Sequence, residues 1–302
     1  MRFKFFSLQV LDRYRTDPRY RIDEGPVSLF LCIKDEFSND TNTAESDKIC
    51  VQSMGYGYRK SDHKRVIVTY LPYLAQLSKE HQNYWVSFEE REECLLDKDF
   101  AAQELEGEFT DRVNVFDAFL QELIEINKIS ELCWAKPLFS KDYQNSKPQE
   151  LAPITKPTYK CYYELVHIFD KLISENINKK FFSDSIKITD EIQEKDGRYR
   201  VIDKGTLQLL ELWIHKNVKI ADTKPLNDLL QTFKNIRNER MKPAHKLESN
   251  IYNPQYFELQ KKLVFDAYTA IRFLRLLLMN HPSAKKHYLP PNWLQRGRIN
   301  FP

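Results

Sequence analysis

The stretch from Thr223 to His245 reads TKPLNDLLQTFKNIRNERMKPAH. Leu226, Leu229, Leu230, Phe233 and Ile236 recur at three- and four-residue spacing, which predicts one amphipathic helix. Thr223 is an acceptable N-cap, and Pro225 is tolerated in the first helical turn. At the other end, Pro243 disfavours the α region at Lys242, so the helix should stop near Met241. The apolar stripe needs partners, and the flanking sequence supplies them. Residues 158–176 place Tyr162, Leu165, Val166, Phe169, Leu172 and Ile173 on one face. Residues 205–218 carry Leu207, Leu209, Leu210, Leu212, Trp213 and Ile214 around most of the circumference, the signature of a central helix. The longest helix opens at Asn253-Pro254 and runs to about Asn280, where His281-Pro282 stops it. Four helices, each with an apolar face, predict an all-α bundle. The polar insertion at 177–204 carries a turn at Lys195-Asp196-Gly197.

The pattern is different upstream. Residues 27–33, 48–52 and 65–70 read as strands, and 85–88 as a fourth. The polar segment 35–47 reads as a loop. Residues 112–127 return to helical spacing through Val115, Phe116, Phe119, Leu120, Leu123, Ile124 and Ile126. Between the two patterns lie Pro137, Pro148, Pro153 and Pro157, with Ser, Asn, Lys and Gln among them. That composition predicts a linker at 137–157, dividing an α+β domain at 1–136 from a helical domain at 158–302.

Composition excludes several function classes. The 302 residues include five cysteines, none in a Cys-x-x-Cys pair, and only seven glycines. A disulfide scaffold, a zinc knuckle and a glycine-rich nucleotide loop are thereby disfavoured. The one close glycine pair is Gly55 and Gly57. No apolar run approaches the roughly 20 residues of a membrane span, and Asp12, Arg13 and Arg15 interrupt the apolar start. A cytoplasmic protein with no membrane association is expected. Residues 1–150 hold 20 Lys and Arg against 27 Asp and Glu, a net −7; residues 151–302 hold 26 against 16, a net +10. The basic half is the one suited to a polyanion.

The chemistry concentrates where the helix 223–241 ends. Arg237 follows Phe233 by four residues and Arg240 follows Ile236 by four, so both guanidiniums emerge beside the buried stripe. Lys242 and His245 come next. Arg binds phosphate through parallel hydrogen bonds and stabilises charge developing on it. A histidine moves protons near neutral pH.

The run Arg237, Arg240, Lys242, Pro243, Ala244, His245 and Asn250 resembles the R-x(4–6)-H motif of the HEPN superfamily, in the branch found in bacterial abortive-infection and defence proteins. Tyr252-Asn253-Pro254 and the long helix after it extend the resemblance, which covers roughly residues 158–282. Arg240 is followed by Met241, where many members have a polar residue. The resemblance implies a HEPN-like four-helix bundle and a metal-independent endoribonuclease of defence or toxin type, with no cofactor. Arg240 and His245 would be catalytic, the ribose 2′-hydroxyl attacking its own phosphodiester. Arg237, Asn238, Lys242 and Asn250 would bind substrate. The family habit of symmetric dimers implies a homodimer through the helical domain. The first domain would then sense a trigger ligand or protein. The alternative is a non-catalytic module binding RNA or protein through the same basic face.

Other residues carry plainer expectations. Arg275 and His281 repeat the motif spacing, but apolar helical residues separate them, so they read as the end of a core helix. His167 and His215 read as packing histidines, and His63 as part of a turn. The acidic runs 89–93 and 104–111 read as solvated surface. Tyr56, Tyr58, Tyr70 and Tyr73 read as half-buried on a sheet.

Overall fold

A computed structural model describes residues 3–144, 147–193, 198–218, 222–242, 249–296 and 298–301. The chain divides into two compact units. The first comprises Met1–Asn114 with Ala152–Lys156 and Arg298–Asn300; the second comprises Val115–Leu151 with Pro157–Gly297 and Phe301–Pro302.

The first unit is α+β. Its elements are β1 (Phe3–Ser7), α1 (Asp12–Thr16), β2 (Tyr20–Glu24), β3 (Ser28–Ile33), α2 (Asp35–Ser38), β4 (Cys50–Arg59), β5 (Arg65–Tyr70), α3 (Leu71–Ala75), α4 (Lys79–Ser87), β6 (Cys94–Leu96), α5 (Lys98–Glu106) and β7 (Val113–Asn114). The main sheet is antiparallel in the order β1-β5-β4-β3-β2, with β6 also pairing β4. Its larger core gathers Leu29, Leu31, Val51, Met54 and Ile67 of the sheet against Val10, Leu11, Tyr14 and Trp85. Phe100 of α5 covers the other face with Val27 and Val68. The close glycine pair belongs to β4, not to a phosphate loop. A Cβ on Gly55 would lie 2.2 Å from the Phe100 ring, and one on Gly57 would lie 2.5 Å from the Leu95 carbonyl oxygen. Both positions need a bare backbone.

Residues 85–88 are not a strand. They close α4, whose N-cap Ser78 accepts from the His81 N–H. His81 and Trp85, four apart, are its buried residues. Tyr56 and Tyr70 are buried on the sheet and Tyr58 is half-buried there, whereas Tyr73 is half-buried on α3, not on the sheet.

The second unit is mainly helical. It holds α6 (Val115–Trp134), α7 (Tyr159–Leu172), α8 (Lys179–Phe182), β8 (Thr189–Gln193), β9 (Tyr199–Asp203), α9 (Thr206–Asn217), α10 (Lys224–Met241), α11 (Gln255–Met279), α12 (Pro282–His287) and α13 (Asn292–Arg296). β10 (Ile299–Asn300) returns to the first unit, parallel to β7. In the second unit α11 packs on α6, α10 and α7, and α10 also packs on α7 and α9. The helical core therefore takes in α6, which the sequence reading assigned to the first domain. The boundary falls at Asn114/Val115.

The proline-rich stretch is not an exposed linker. Leu138, Phe139 and Leu151 are fully buried in the second unit. The Asn127 side chain of α6 accepts from the Phe139 N–H and donates to its carbonyl, and Ser130 Oγ accepts from the Leu138 N–H. Assigned by structural unit, the charges become 18 basic against 21 acidic residues, net −3, and 28 against 22, net +6. The contrast between the halves is smaller than the midpoint division suggests, because α6 carries acidic residues into the helical unit.

Part of the 177–204 insertion is a β8–β9 hairpin that leaves Ile192, Tyr199 and Val201 exposed. The turn expected at Lys195-Asp196-Gly197 lies outside the described residues. No helix among the described residues is long and apolar enough to cross a membrane.

Candidate functional site

Two helices build the site. α10 buries Leu226, Leu229, Leu230, Phe233 and Ile236, the stripe that its periodicity dictates. Arg237 and Arg240 consequently sit half-buried at the margin of the core, and Asn238 is exposed. The helix ends at Met241, but Lys242 keeps α geometry at φ −57°, ψ −45°, with its N–H donating to the Glu239 carbonyl. A tightened last turn thus replaces the expected break at Lys242.

α7 supplies the opposing face. Thr158 caps it by accepting from the Cys161 N–H, and Leu165, Val166, Phe169 and Leu172 face the core. Tyr163, His167 and Asp170 lie four and three residues apart, along an adjoining face. The Tyr163 hydroxyl donates to the Arg240 carbonyl oxygen at 2.8 Å, satisfying a group left unpaired by the end of α10. Asp170 is fully buried, and its Oδ2 accepts from Arg240 Nη1 at 2.7 Å. Glu175 accepts from the same Nη1. Hydrogen bonding to Asp170, with a further contribution from Glu175, raises the Arg240 pKa against the opposing effect of burial, so the guanidinium stays charged. Among the described residues, Arg240 Nε and Nη2 have no partner. One nitrogen is thus anchored by two carboxylates.

The structure scatters the remaining sequence-derived residues around this point. Arg237 has no ion pair among the described residues. Lys242 pairs with Glu239. Asn250 has a structural task, since its Oδ1 accepts from the Lys160 N–H in the first turn of α7 at 3.1 Å. Alongside it, the Tyr159 N–H donates to Ile251 O and the Asn253 N–H to Pro157 O, each at 2.9 Å. His245, with Pro243 and Ala244, lies outside the described residues.

His167, read as a packing histidine, lies beside Tyr163 on α7. It is half-buried, its ring nearly parallel to that of Tyr163 (21°) with centroids 6.4 Å apart. Burial depresses its pKa first, followed by the positive charges of Lys171 and Arg240, against Glu175 and Asp170. Its Nδ1 and the Asp170 Oδ1 are buried without a hydrogen-bond partner. The sequence signal for this trio was the Tyr163, His167, Asp170 spacing, which places three polar groups beside an apolar stripe. His215 departs from the packing reading, being exposed on α9.

The second motif-spaced pair is structural. Arg275 is buried in α11 and donates through Nε and Nη2 to the two carboxylate oxygens of buried Glu122 on α6. His281 caps α12 by accepting from the Ser283 N–H, and its ring lies 5.0 Å from that of Trp134. The acidic run of the first unit forms surface ion pairs: Glu89 with Lys4, Glu90 and Glu92 with Arg59, and Glu93 with Lys60. His63 sits in a turn at φ 55°. Among the described residues no group of three or more His, Cys, Asp or Glu side chains could hold a metal ion. Comparison with family models, with curated proteins and with solved structures found no match to this chain.

Proposed function

We propose that the helical unit is a HEPN-like, metal-independent endoribonuclease acting in the cytoplasm as a defence or toxin protein. One observation carries this reading: Arg240 is clamped at the end of α10 by Asp170 and Glu175 through a single nitrogen, with Nε and Nη2 uncommitted. A guanidinium so held is preorganised for the charge that develops on a phosphorane. Arg240 and His245 are the catalytic pair, with Arg237, Asn238 and Lys242 holding the RNA backbone. A homodimer through the helical unit brings two such sites together, and the first unit receives a trigger ligand or protein.

The test is cleavage of labelled single-stranded RNA and tRNA in EDTA by wild type, Arg240→Ala and His245→Ala. Cleavage that leaves 2′,3′-cyclic phosphate ends and disappears in both variants supports the nuclease. RNA retention without cleavage by any of the three supports the second reading, a non-catalytic RNA- or protein-binding module. That alternative is favoured by the two carboxylates beside Arg240, which offset its positive charge.

A further inference from the structure

Arg65 opens β5 directly opposite Tyr58 of β4, and Tyr56 is its diagonal neighbour on the same face of the sheet. A long side chain spans that diagonal. The Arg65 guanidinium accordingly lies over the Tyr56 ring, its Cζ 3.5 Å from the ring centroid. Attraction to the face of the ring holds the group in place. Arg65 is half-buried, and its Nε is buried without a hydrogen-bond partner. Among the described residues Nη1 and Nη2 have no hydrogen bond or ion pair either. Neither of them is buried, so they form the open edge of the group.

The neighbouring charged groups are engaged elsewhere. Tyr56 Oη donates to Glu24 Oε2 at 3.3 Å, and Glu24 is the ion-pair partner of Arg15. Arg15 Nη1 donates to Pro153 O at 2.7 Å. Tyr58 Oη donates to Asp97 Oδ2 at 3.2 Å, while Asp97 Oδ1 caps α5 by accepting from the Asp99 and Phe100 N–H groups. Arg112 pairs with Asp99 at 3.1 Å. Burial raises the pKa of both Tyr56 and Tyr58, and the Arg65 charge opposes it in both. Arg65 thus has an aromatic platform, two tyrosines within reach of its charge, and no counterion among the described residues. A buried donor left unpaired in a native fold calls for a missing partner.

We propose that Arg65 anchors a binding site in the first unit for a small carboxylate ligand, whose two oxygens accept from Nη1 and Nη2. The parallel N–H groups of a guanidinium match the two coplanar oxygens of a carboxylate. Charge selects this class of anion. One negative charge balances Arg65, whereas the second charge of a phosphate monoester would face Glu24 and Asp97. Arg15, Glu24, Tyr56, Tyr58, Arg65 and Asp97 all belong to the first unit, so the site is independent of the nuclease reading of the second.

The deciding experiment titrates the full chain, isotope-labelled at arginine, with sodium acetate, methyl phosphate or sodium chloride at constant ionic strength. NMR follows the Arg65 Nε signal, identified by its absence from Arg65→Gln, and thermal unfolding is recorded in parallel. Acetate should shift the wild-type Arg65 signal saturably and raise the unfolding midpoint of the first unit, and chloride should do neither. Methyl phosphate should bind at least about threefold more weakly than acetate, because its second charge is uncompensated. Arg65→Gln should lose the acetate effect on unfolding. Arg65→Lys, which keeps the charge without the fork, should bind acetate at least about threefold more weakly than wild type. Where the Gln variant folds poorly, the Lys variant serves for the same signal identification and the same comparison. A wild-type Arg65 signal that responds to acetate no more than to chloride overturns the proposal and leaves Arg65 a packing arginine on Tyr56. An acetate effect on unfolding that persists undiminished in Arg65→Gln or Arg65→Lys overturns it as well. Tighter binding of methyl phosphate than of acetate overturns the choice of a carboxylate.

Discussion

Asp170 is wholly buried on α7, and its only hydrogen-bonded cation among the described residues is Arg240, 2.7 Å away and 28% exposed. Removing one member of such a pair strands the other. Arg240→Ala leaves a buried carboxylate without its counterion and should cost about 2–4 kcal/mol, toward the lower part of the buried-pair range because Arg240 is partly solvated. Asp170→Asn keeps the shape and removes the charge, so it should cost less. The double variant Arg240→Ala/Asp170→Asn should recover stability relative to Arg240→Ala alone. Urea denaturation of the four proteins measures the coupling. Additive costs would show that the two side chains are not energetically coupled. The same series controls the cleavage assay, since a variant that unfolds loses activity for a trivial reason.

Glu122 and Arg275 make a stronger case, because both are buried and they join α6 to α11. Burial raises the Glu122 pKa, and the hydrogen bond from Arg275 only partly offsets this. Glu122→Ala should destabilise the helical unit by about 3–5 kcal/mol, through an uncompensated guanidinium. Glu122→Leu with Arg275→Met should be close to neutral or stabilising, since the apolar pair avoids desolvation of both charges. Thermal unfolding of the two variants decides the matter. A double variant as unstable as Glu122→Ala would assign the pair a packing role that apolar side chains do not replace.

The fold was legible where one period dominated. α7, α9, α10 and α11 follow from repeating apolar residues, β3 from its short apolar run and β5 from its β-branched one. β1 and β2 went unread because Phe3-Lys4-Phe5-Phe6 looks like a basic apolar terminus and Tyr20–Glu24 alternates with charges. α4 was misread because Trp85, Val86 and Phe88 are good strand formers, whereas the helix is defined by its Ser78 cap and a buried histidine. The periodicity of α6 announced a helix but carried no information about which core it would join. The candidate site followed the same logic. Arg240 could be found from its place at a helix end. Asp170 and Glu175, 70 and 65 residues away in the chain, reach it only through tertiary packing.

Cys32 and Cys50 are directly opposed on β3 and β4. The Ile33 N–H donates to Ile49 O at 3.0 Å, making 33/49 a hydrogen-bonded pair and 32/50 the adjacent non-hydrogen-bonded one, where side chains approach most closely. That spacing accommodates a disulfide. Burial and the neighbouring Cys32 thiol push the Cys50 pKa up to about 12, so oxidation at neutral pH should be slow. Oxidised glutathione at alkaline pH should nevertheless produce an internal Cys32–Cys50 bridge with release of two glutathione thiols. Closing this short loop should stabilise the first unit by about 3 kcal/mol. Peptide mapping and thermal unfolding test both statements. Separate glutathione adducts on the two cysteines, with no bridge, would show that the pair cannot reach disulfide geometry.

A buried chain of hydrogen bonds should make the first unit acid-sensitive. Trp85 Nε1 donates to Tyr14 Oη at 3.0 Å, Tyr14 Oη is 2.8 Å from His81 Nδ1, and His81 Nε2 is 3.5 Å from Asp47 Oδ1. The Trp85 donor leaves the Tyr14 proton for His81, so Nδ1 accepts and Nε2 carries the proton toward Asp47. Burial lowers the His81 pKa first, with Arg13 adding to it and Asp47 opposing. Below the unfolded value of about 6.5 the unfolded chain therefore binds more protons at this site than the folded one. The stability contributed by neutral His81 is complete above that pH and is lost as the pH falls toward its folded pKa. Asp47, lowered overall by Arg19 and His81 against burial, and Asp17, lowered chiefly by its hydrogen bonds from Arg19, add a second loss further into acid. Urea denaturation between pH 7 and pH 5 should show stability falling in wild type. In His81→Asn, less stable at pH 7, the curve should be flatter over the same interval. Parallel curves for the two proteins would mean that His81 is not the group whose protonation destabilises the unit.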